Sequence, residues 1–435
     1  MTTRPAGVAR TAAEHEALRV ALLCYRGNPH CGGQGVYVRH LSRELAALGH
    51  TVTVFSGQPY PHLDPGVALV RLPSLDLYRE PTPFRTPRRR ELTELADLVE
   101  LATMWTGGFP EPRTFSWRAR HALAARRDEF DLVHDDQCLG TGLLALQGEG
   151  WPVVASVHHP ISVDRAVDLA HAPDWKRRLT LRRWYGFSAM QNRVARRLPR
   201  LLTVSQSSRA DLLAELGGDP ARVRVVPVGV DPAVYRPLEG VRRIPGRIMT
   251  TASADVPLKG LVLLLEAVAK LRTEFADVHL VVVGRLRPDS PVRAALERFG
   301  LEEAVAFVGG ESDAEIARRY SEASCAVVPS LYEGFSLPAA EALACGTPLV
   351  TTTGGALPEV AGTDGVHALL VPPGDSGALA LAIARILEDP DLGRRLGDAG
   401  RARVIERFTW KATAERTAEE YRELLGRHGA PGGPC

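Results

Sequence analysis

The sequence predicts an α/β protein made of two Rossmann-like domains, each built on a parallel β-sheet. Short runs of β-branched and apolar residues alternate with longer helical patterns along the 435-residue chain. These runs are apolar at nearly every position, which is typical of parallel strands covered by helices on both faces. A segment rich in Pro and Gly at 227–246 divides the runs into two similar series, as expected of a linker between domains.

Each half of the chain contains six predicted strands. In the first half they lie at 18–25, 51–56, 67–72, 131–134, 153–158 and 201–205. In the second half they lie at 246–252, 278–283, 304–308, 325–329, 348–352 and 368–371. The predicted units are a disordered tail (1–17), an N-terminal domain (18–226), the linker (227–246), a C-terminal domain (247–409) and a last helix (410–428) that belongs to the C-terminal domain or crosses back to the N-terminal one. Because ligands bind at the carboxyl ends of parallel strands, we expect the site in a cleft between two facing sheets.

The composition excludes several classes of protein. With 45% hydrophobic residues, the chain is neither disordered nor a collagen-like repeat. No apolar run approaches the ~20 residues that cross a bilayer, and the N-terminus lacks the apolar core of a secretory signal. The six cysteines form no C-x-x-C pair, so neither a disulfide framework nor a zinc cage is expected. We expect a cytoplasmic protein, either free or peripheral at the inner face of the membrane.

The net charge of +2 conceals an asymmetry between the two halves. Residues 1–226 contain 30 basic and 23 acidic side chains, a net charge of +7. Residues 227–435 contain 23 basic and 28 acidic side chains, a net charge of −5. This difference favours two distinct domains, of which the first meets an anionic partner.

A glycine-rich loop follows the first predicted strand and leads into a helix at 33–48. In one interpretation, the backbone N–H groups at Gly32 and Gly33 and the helix N-terminus bind a phosphate or a sugar. In the other, the two glycines only allow a tight turn with positive φ. The loop is not G-x-G-x-x-G and no Walker lysine follows it, so a simple dinucleotide or P-loop site is not favoured.

The segment SLYEGFSLPAAEALACGTPLVTTTGGALPEV (330–360) carries the strongest candidate site. Gly334 and Pro338 predict a loop that runs into a helix with Pro338 in its first turn. Glu333 then lies on the loop and Glu341 within the helix, with both carboxylates facing one cleft. The alternative is that Glu333 is a turn residue and Glu341 an exposed helix residue.

This segment closely resembles the signature of retaining glycosyltransferases of family 4, which have the two-domain GT-B fold. Three other segments also resemble family segments, in the same order along the chain: GGQGVYVRHLSRELAALGHTVTVFS, PVGVD (227–231) and LKGLVLLLEAVAKL (258–271). The resemblance covers residues 18–425. It implies transfer of a hexose-type sugar from a nucleotide-diphosphate donor to a hydroxyl acceptor. Alternatives on the same fold are a nucleotide-sugar epimerase and a non-catalytic protein that binds nucleotide sugars.

The resemblance also assigns the donor site. It implies that Glu341 accepts hydrogen bonds from the ribose hydroxyls, that Glu333 binds a hydroxyl of the transferred sugar, and that Lys259 contacts the diphosphate. The backbone N–H groups assigned to the same sugar are those of Phe335, Ser336 and Leu337. The family usually places an Arg about six residues before the lysine, where this chain has Ser253. Arg285 is a candidate replacement.

In the N-terminal domain, the resemblance implies that His158 contacts the donor sugar and that the Gly33 amide contacts the phosphates. His158 is preferred over the adjacent His159 because neighbouring side chains on a strand point in opposite directions. The predicted catalytic residues are therefore His158, Lys259 and Glu333. The implied mechanism is front-face substitution, in which the leaving oxygen accepts the acceptor proton. The pair Asp135-Asp136 is not a D-x-D motif, and the resemblance implies that neither a metal nor a cofactor is needed.

The acceptor is less well defined by the sequence. His134, Asp135 and Asp136 either touch the acceptor or cap the following helix. In segment 79–117, Trp105, Phe109, Phe115 and Trp117 either stack on a sugar or lipid or close a small core. The acceptor is therefore left as a small molecule, a glycan or a lipid-linked compound.

Segment 175–200 contains nine basic residues and no acidic one, with Trp175, Trp184, Tyr185 and Phe187 among them. It is either a solvated helical surface or a contact with an anionic membrane. No nucleic-acid recognition module accompanies it, so nucleic acid is not an expected partner.

Overall fold

The computed structural model describes residues 17–28, 33–79, 82–158, 160–170, 172, 174–252, 256–287 and 290–429. Gly32, His159 and Ser253 lie outside the described residues, as does most of the predicted N-terminal tail.

The N-terminal unit is built on a seven-stranded parallel sheet in the order β3-β2-β1-β4-β5-β6-β7. Its strands are β1 (Arg19–Cys24), β2 (Thr51–Ser56), β3 (Ala68–Arg71), β4 (Leu132–Asp136), β5 (Val153–Ser156), β6 (Arg200–Thr203) and β7 (Val223–Val225). Its helices are α1 (Gly33–Ala47), α2 (Leu95–Trp105), α3 (Glu111–Ala124), α4 (Gly142–Gly148), α5 (Ile161–Ala170), α6 (Trp175–Trp184), α7 (Phe187–Ala195) and α8 (Gln206–Leu216).

The C-terminal unit is built on a six-stranded parallel sheet in the order β10-β9-β8-β11-β12-β13. Its strands are β8 (Ile244–Thr251), β9 (His279–Val283), β10 (Val305–Val308), β11 (Ala323–Val328), β12 (Leu349–Thr352) and β13 (Leu369–Val371). Its helices are α9 (Leu261–Leu271), α10 (Pro291–Phe299), α11 (Asp313–Glu322), α12 (Leu337–Ala344), α13 (Leu357–Ala361), α14 (Ser376–Glu388) and α15 (Pro390–Arg407). A final helix, α16 (Trp410–Gly429), follows.

The prediction of two parallel α/β sheets is confirmed. Each predicted strand overlaps an observed strand, with ends that agree within two residues. Among the strands of the described residues, only β7 was not predicted, because its three residues at the sheet edge are too few to show a pattern. The strand order reverses between β1 and β4 in the first sheet and between β8 and β11 in the second. Such switch points are where ligand crevices form in parallel sheets.

Helix α1 packs one face into the core. Tyr37, Leu41 and Leu45 are buried, whereas Leu48, directly after the helix, is 37% exposed. Gly35 lies so close to the preceding loop that an added Cβ would come within 2.1 Å of the Asn28 carbonyl oxygen. Gly33 has open space around its Cβ position and is not among the residues with positive φ. The tight approach in this turn therefore requires glycine at position 35.

Helix α16 packs against the N-terminal unit. Trp410 stacks on His40 of α1, with ring centroids 4.9 Å apart and ring planes 12° apart. Val230 in the segment between the sheets donates its N–H to the Phe408 carbonyl, 2.9 Å away. One apolar cluster includes residues of β1, of α12 and of α16, so the core is continuous between the two units.

Candidate active site

The residues assigned to the donor follow two adjacent strands. Lys259 lies on a short turn after β8, and Glu333 lies on the loop after β11. Because β8 and β11 are parallel neighbours, both loops leave the same edge of the sheet. Leu331 donates its N–H to the Leu258 carbonyl at 2.8 Å, which ties the two loops together.

Lys259 and Glu333 form an ion pair at this edge. The Lys259 Nζ lies 2.8 Å from Glu333 Oε1 and 3.0 Å from Oε2. The Ser330 hydroxyl donates a third hydrogen bond to Oε1 at 2.7 Å. The Glu333 side chain is 10% exposed and that of Lys259 is 34% exposed. The carboxylate is therefore held from one side, while the ammonium group keeps access to solvent.

The loop after Glu333 has an unusual backbone at Ser336, the N-cap residue of α12. Its φ is +90°, in the left-handed region that L-residues other than Gly, Asn and Asp rarely occupy. The Ser336 hydroxyl accepts the N–H of Ala339, and Pro338 lies in the first turn as predicted. Phe335, Ser336 and Leu337 therefore lead directly into a helix N-terminus, whose first N–H groups are suited to an anion.

Glu341 lies within α12, as predicted, and is half-buried. Burial raises the pKa of its carboxyl group to about 8, the negative charge of Asp313 adds to this shift, and a hydrogen bond with Tyr235 opposes it. Tyr235 belongs to the segment between the two sheets, for which the sequence predicts only a linker. The carboxyl group therefore changes its charge near neutral pH.

His158 follows β5 at the carboxyl edge of the N-terminal sheet. Its Nε2 lies 2.7 Å from Asp136 Oδ1, and its backbone N–H donates to Gln137 Oε1 at 2.9 Å. The Tyr37 ring meets the imidazole edge to face, with centroids 4.6 Å apart. The side chain is 18% exposed. These contacts hold the imidazole in one orientation with part of the ring accessible.

The two halves of the site meet at Ser208, near the N-terminus of α8. The Ser208 hydroxyl lies 3.3 Å from the His158 carbonyl oxygen and 3.2 Å from the Gly334 carbonyl oxygen. His158 and the loop of Glu333 are thus neighbours, although they belong to different sheets. Sequence reasoning missed Ser208, since a serine near a helix N-terminus is usually a cap.

His134 and Asp135 lie in the interior and are not exposed to an acceptor. His134 Nε2 lies 2.7 Å from Ser156 Oγ, and its Nδ1 lies 2.6 Å from the Tyr421 hydroxyl on α16. Burial lowers the pKa of His134 to about 3, so the ring is neutral. Asp135 accepts the Leu139 N–H at 2.9 Å, and burial raises its pKa to about 8. Of this group, Asp136 is the residue that contacts His158.

The four predicted aromatic residues of the acceptor side have different environments. Phe109 and Phe115 are buried in apolar clusters. Trp117 is half-buried and donates its Nε1–H to the Thr141 hydroxyl at 2.9 Å. Trp105 is 67% exposed. Phe109 also borders a cavity of about 280 Å³, which the side chains of Thr106, Arg113, Arg183 and Phe187 line as well.

Two other predicted residues, Gly33 and Arg285, follow further strands of the two sheets. Gly33 is exposed at the start of α1, beside the β1 end of the N-terminal sheet. Arg285 is exposed just after β9, which pairs with β8.

Within the described residues, no group of three or more His, Cys, Asp or Glu side chains is placed to hold a metal ion. No helix of the described chain is both long and apolar enough to cross a membrane.

The fold and the site together define a GT-B glycosyltransferase, since two parallel α/β sheets bring groups from their carboxyl edges to one cleft. The chain belongs to the family 4 glycosyltransferases. Residues 31–234 match the model for Glycosyltransferase Family 4, and residues 245–403 match the model for Glycosyl transferases group 1.

Two relatives extend over almost the whole chain. The MMP alpha-(1->4)-mannosyltransferase of Mycolicibacterium hassiacum is 54% identical over 411 residues, which are 94% of this chain and 99% of the relative. The D-inositol 3-phosphate glycosyltransferase of Kineococcus radiotolerans is 30% identical over 94% of this chain and 95% of its own length.

Solved structures show the same fold. The sucrose-phosphate synthase of Thermosynechococcus elongatus superposes with a TM-score of 0.72 and 25% identity, over 94% of this chain and 100% of that one. Anabaena HepE in complex with UDP-glucose has a TM-score of 0.68 and 18% identity, over 93% of this chain and 100% of that one.

Proposed function

We propose that this glycosyltransferase is a retaining α-mannosyltransferase that moves mannose from a nucleotide-diphosphate donor to a hydroxyl of a glycan. The observation that carries the proposal is the junction at Ser208, which joins the His158 backbone to the loop of the Lys259–Glu333 pair. The relative at 54% identity, a mannosyltransferase by name, supports the choice of sugar.

In this proposal the C-terminal unit holds the donor. Glu341 accepts the ribose hydroxyls, and the N–H groups from Phe335 to Leu337 approach the sugar and the diphosphate. Lys259 has exposed area on its side chain, so it contacts the diphosphate while it stays beside Glu333. Its positive charge stabilises the negative charge that develops on the leaving group.

The proposed transfer takes place on one face of the sugar. The bond between the anomeric carbon and the leaving phosphate oxygen breaks, and the acceptor oxygen bonds to the same face of that carbon. The proton of the acceptor hydroxyl moves to the leaving phosphate oxygen, so no protein base is required. Glu333 is already committed to Lys259 and Ser330. It therefore orients a sugar hydroxyl, and no covalent glycosyl-enzyme forms on it.

A panel of donors tests the proposal. We expect transfer from one nucleoside-diphosphate mannose among GDP-, UDP- and ADP-sugars, with an α-linked product by NMR when the donor is α-linked. A β-linked product would overturn the retaining mechanism. Exchange of sugar configuration without an acceptor would indicate an epimerase. Donor binding with neither outcome would indicate a non-catalytic binding protein.

Two substitutions test the donor residues. We expect Lys259→Met and Glu333→Gln each to lower kcat by roughly 100-fold or more, since a charge aimed at the reacting group contributes about 3 kcal/mol. Lys270→Met and Glu297→Gln are the matched controls, because Lys270 pairs with Glu266 on α9 and Glu297 is exposed on α10. Full activity of either site variant would refute its assigned role.

We also propose that the nucleotide sugar is the sole co-substrate and that no metal or cofactor takes part. Lys259 and the N-terminus of α12 supply the positive charge that a divalent cation supplies elsewhere. Transfer activity is therefore expected to persist in excess EDTA. Loss of activity in EDTA that Mg²⁺ or Mn²⁺ restores would contradict this.

A further inference from the structure

Helix α2 carries an apolar face that points into solvent. Leu95 is 71% exposed, Leu98 is 51% exposed and Trp105 is 67% exposed. Residues three and seven positions apart lie on one side of a helix, and Ala102 between them is exposed as well. Contiguous exposed apolar residues of this kind mark an interaction surface on a globular protein.

The opposite face of α2 is firmly held, so the apolar face is a fixed feature of the fold. Asp97 and Glu100 on the inner face form ion pairs with Arg118 of α3, at 2.6 Å for Asp97. Leu101 and Met104 are buried in the apolar cluster beneath. The exposed side chains therefore belong to a helix whose inner face is fixed by ion pairs and by apolar packing.

Helix α6 lies next to the end of α2 and adds positive charge. Its Arg183 donates from Nε to the Thr106 carbonyl at 2.5 Å, directly after α2. Trp175 is 69% exposed and Leu179 is 50% exposed. The exposed cations of α6 that accompany them are Lys176, Arg177, Arg178 and Arg182.

Of the basic segment predicted at 175–200, α6 keeps most of its side chains exposed, and Arg193 and Arg197 beyond it are exposed as well. Arg200 is completely buried and paired with Glu420 and Glu423 of α16. Arg196 donates to the carbonyl groups of Leu216 and Glu215. A second set of exposed cations instead precedes α2 and consists of Arg88, Arg89 and Arg90.

We propose that α2 and α6 form a docking surface for an anionic lipid bilayer. Tryptophan and leucine side chains insert at the boundary between headgroups and acyl chains, and Lys and Arg side chains attract anionic headgroups. The exposed cations of α6 favour this partner over a neutral glycan, which has no charge for them to meet. The five apolar side chains favour it over a nucleic acid, which would leave Leu95 and Leu98 in water. The proposal does not depend on the reaction that the site catalyses.

The test is flotation of the full-length protein with vesicles of phosphatidylglycerol mixed with phosphatidylcholine, against vesicles of phosphatidylcholine alone. We expect binding to the anionic vesicles that weakens with salt. Arg177→Glu/Arg178→Glu is expected to weaken binding at least 25-fold, since one cation near the surface contributes roughly fivefold. Leu95→Ser/Leu98→Ser is expected to weaken it at least tenfold through lost apolar burial.

Matched controls lie on the C-terminal unit. Arg394→Glu/Arg395→Glu changes two side chains that are 66% and 65% exposed on α15. Leu381→Ser changes a leucine that is 70% exposed on α14. Both controls should bind like the native protein. Absence of vesicle binding by the native protein would overturn the proposal, as would equal losses in the controls. A native dimer that the Leu95→Ser/Leu98→Ser variant dissociates would assign the surface to a second copy and also overturn it.

Discussion

His158 and Asp136 show how single residues prepare one side of the cleft. When Asp136 is ionised, its Oδ1 can only accept, so the Nε2 of His158 at 2.7 Å carries the proton. In a neutral imidazole with this tautomer, the Nδ1 of His158 is an acceptor for a hydroxyl group. The second carboxylate oxygen of Asp136 is buried and without a hydrogen-bond partner among the described residues, and burial raises the pKa of this carboxyl group. The buried carboxylate of Asp136 therefore lowers stability, but it orients the imidazole of His158.

We predict that Asp136→Asn separates activity from stability. The amide leaves the protonation of His158 undefined, so kcat should fall roughly 10- to 100-fold, as expected for a lost charged hydrogen bond of about 1.5–3 kcal/mol. The midpoint of thermal unfolding should stay the same or rise at pH 8, because a buried carboxylate is removed. The control for activity is Asp131→Asn. Asp131 directly precedes β4, the strand that ends with Asp136, and its side chain is half-exposed. A fall in stability that parallels the fall in kcat would argue for a merely structural role.

Glu341 should make donor binding depend on pH. Its pKa is raised to about 8, and the neighbouring groups that influence it are Asp313 and Tyr235. If the ribose hydroxyls bind the carboxylate, donor affinity should rise about tenfold from pH 7 to pH 9, as the ionised fraction grows. The folded state keeps a proton that the unfolded state loses above pH 4.5, so this group lowers stability as pH rises toward 8.

The measurement for Glu341 is isothermal titration of the donor nucleotide at several pH values. Glu341→Gln should bind weakly at every pH and should remove the pH dependence of affinity. The fall in thermal stability between about pH 6 and pH 8 should also become flatter, because the substitution removes the carboxyl group with the raised pKa. A native protein whose donor affinity is constant from pH 7 to pH 9 would contradict the assigned role of Glu341.

At the scale of elements, α16 is the helix that ties the end of the chain to the N-terminal sheet. Arg200 at the start of β6 is completely buried, and its guanidinium group meets Glu420 and Glu423 on α16. Tyr421 of the same helix reaches His134, which in turn contacts Ser156. The chain of hydrogen bonds extends to the Tyr37 hydroxyl, 3.0 Å from Ser156 Oγ. Helix α16 is thereby connected to the residues that support His158.

Arg200→Met is expected to lower the free energy of unfolding by roughly 1.5–3 kcal/mol, because it removes the charged hydrogen bonds of a buried guanidinium group to Glu420 and Glu423. The midpoint of urea unfolding measures this loss. Arg197→Met, an exposed arginine three residues earlier, should change stability by less than about 0.5 kcal/mol. Equal effects of the two substitutions would show that the ion pairs of α16 contribute little.

At the scale of the whole molecule, the C-terminal unit caps a helix of the N-terminal unit. Glu359 on α13 accepts the N–H groups of Gln206 and Ser207 at 2.8 Å and 2.7 Å. The Tyr332 hydroxyl also donates to Asp211 on α8. A carboxylate at a helix N-terminus is stabilised by the helix dipole. These contacts lie beside Ser208, so they hold the two edges of the proposed active site together.

Glu359→Ala should shift the two units toward an open arrangement. The lost contact is worth about 1 kcal/mol, which corresponds to a change of roughly fivefold in the ratio of closed to open molecules. We expect a larger radius of gyration by small-angle scattering and a lower kcat. The control is Glu302→Ala, because Glu302 is an exposed glutamate between α10 and β10. Identical scattering and kcat for the native protein and Glu359→Ala would rule out this role.

Much of the fold followed from local patterns. Runs such as LRVALLCY and VHLVVV predict buried strands because each residue favours extended backbone and is apolar. The loop of Glu333 and the helix of Glu341 were also predictable, since Gly334 and Pro338 act on their own backbone. The left-handed backbone of Ser336 was not, because nothing in its neighbours requires a positive φ there.

The sequence by itself determined the two parallel sheets and the family to which the chain belongs, because these depend on residues close together in the chain. Only the tertiary structure decided that His134 is buried under Tyr421, that Asp136 holds His158, and that Ser208 joins His158 to Gly334. It also decided that Leu95 and Leu98 face solvent. Such pairings depend on how distant segments pack, and the free energy that selects them comes from burial of whole surfaces and not from any local motif.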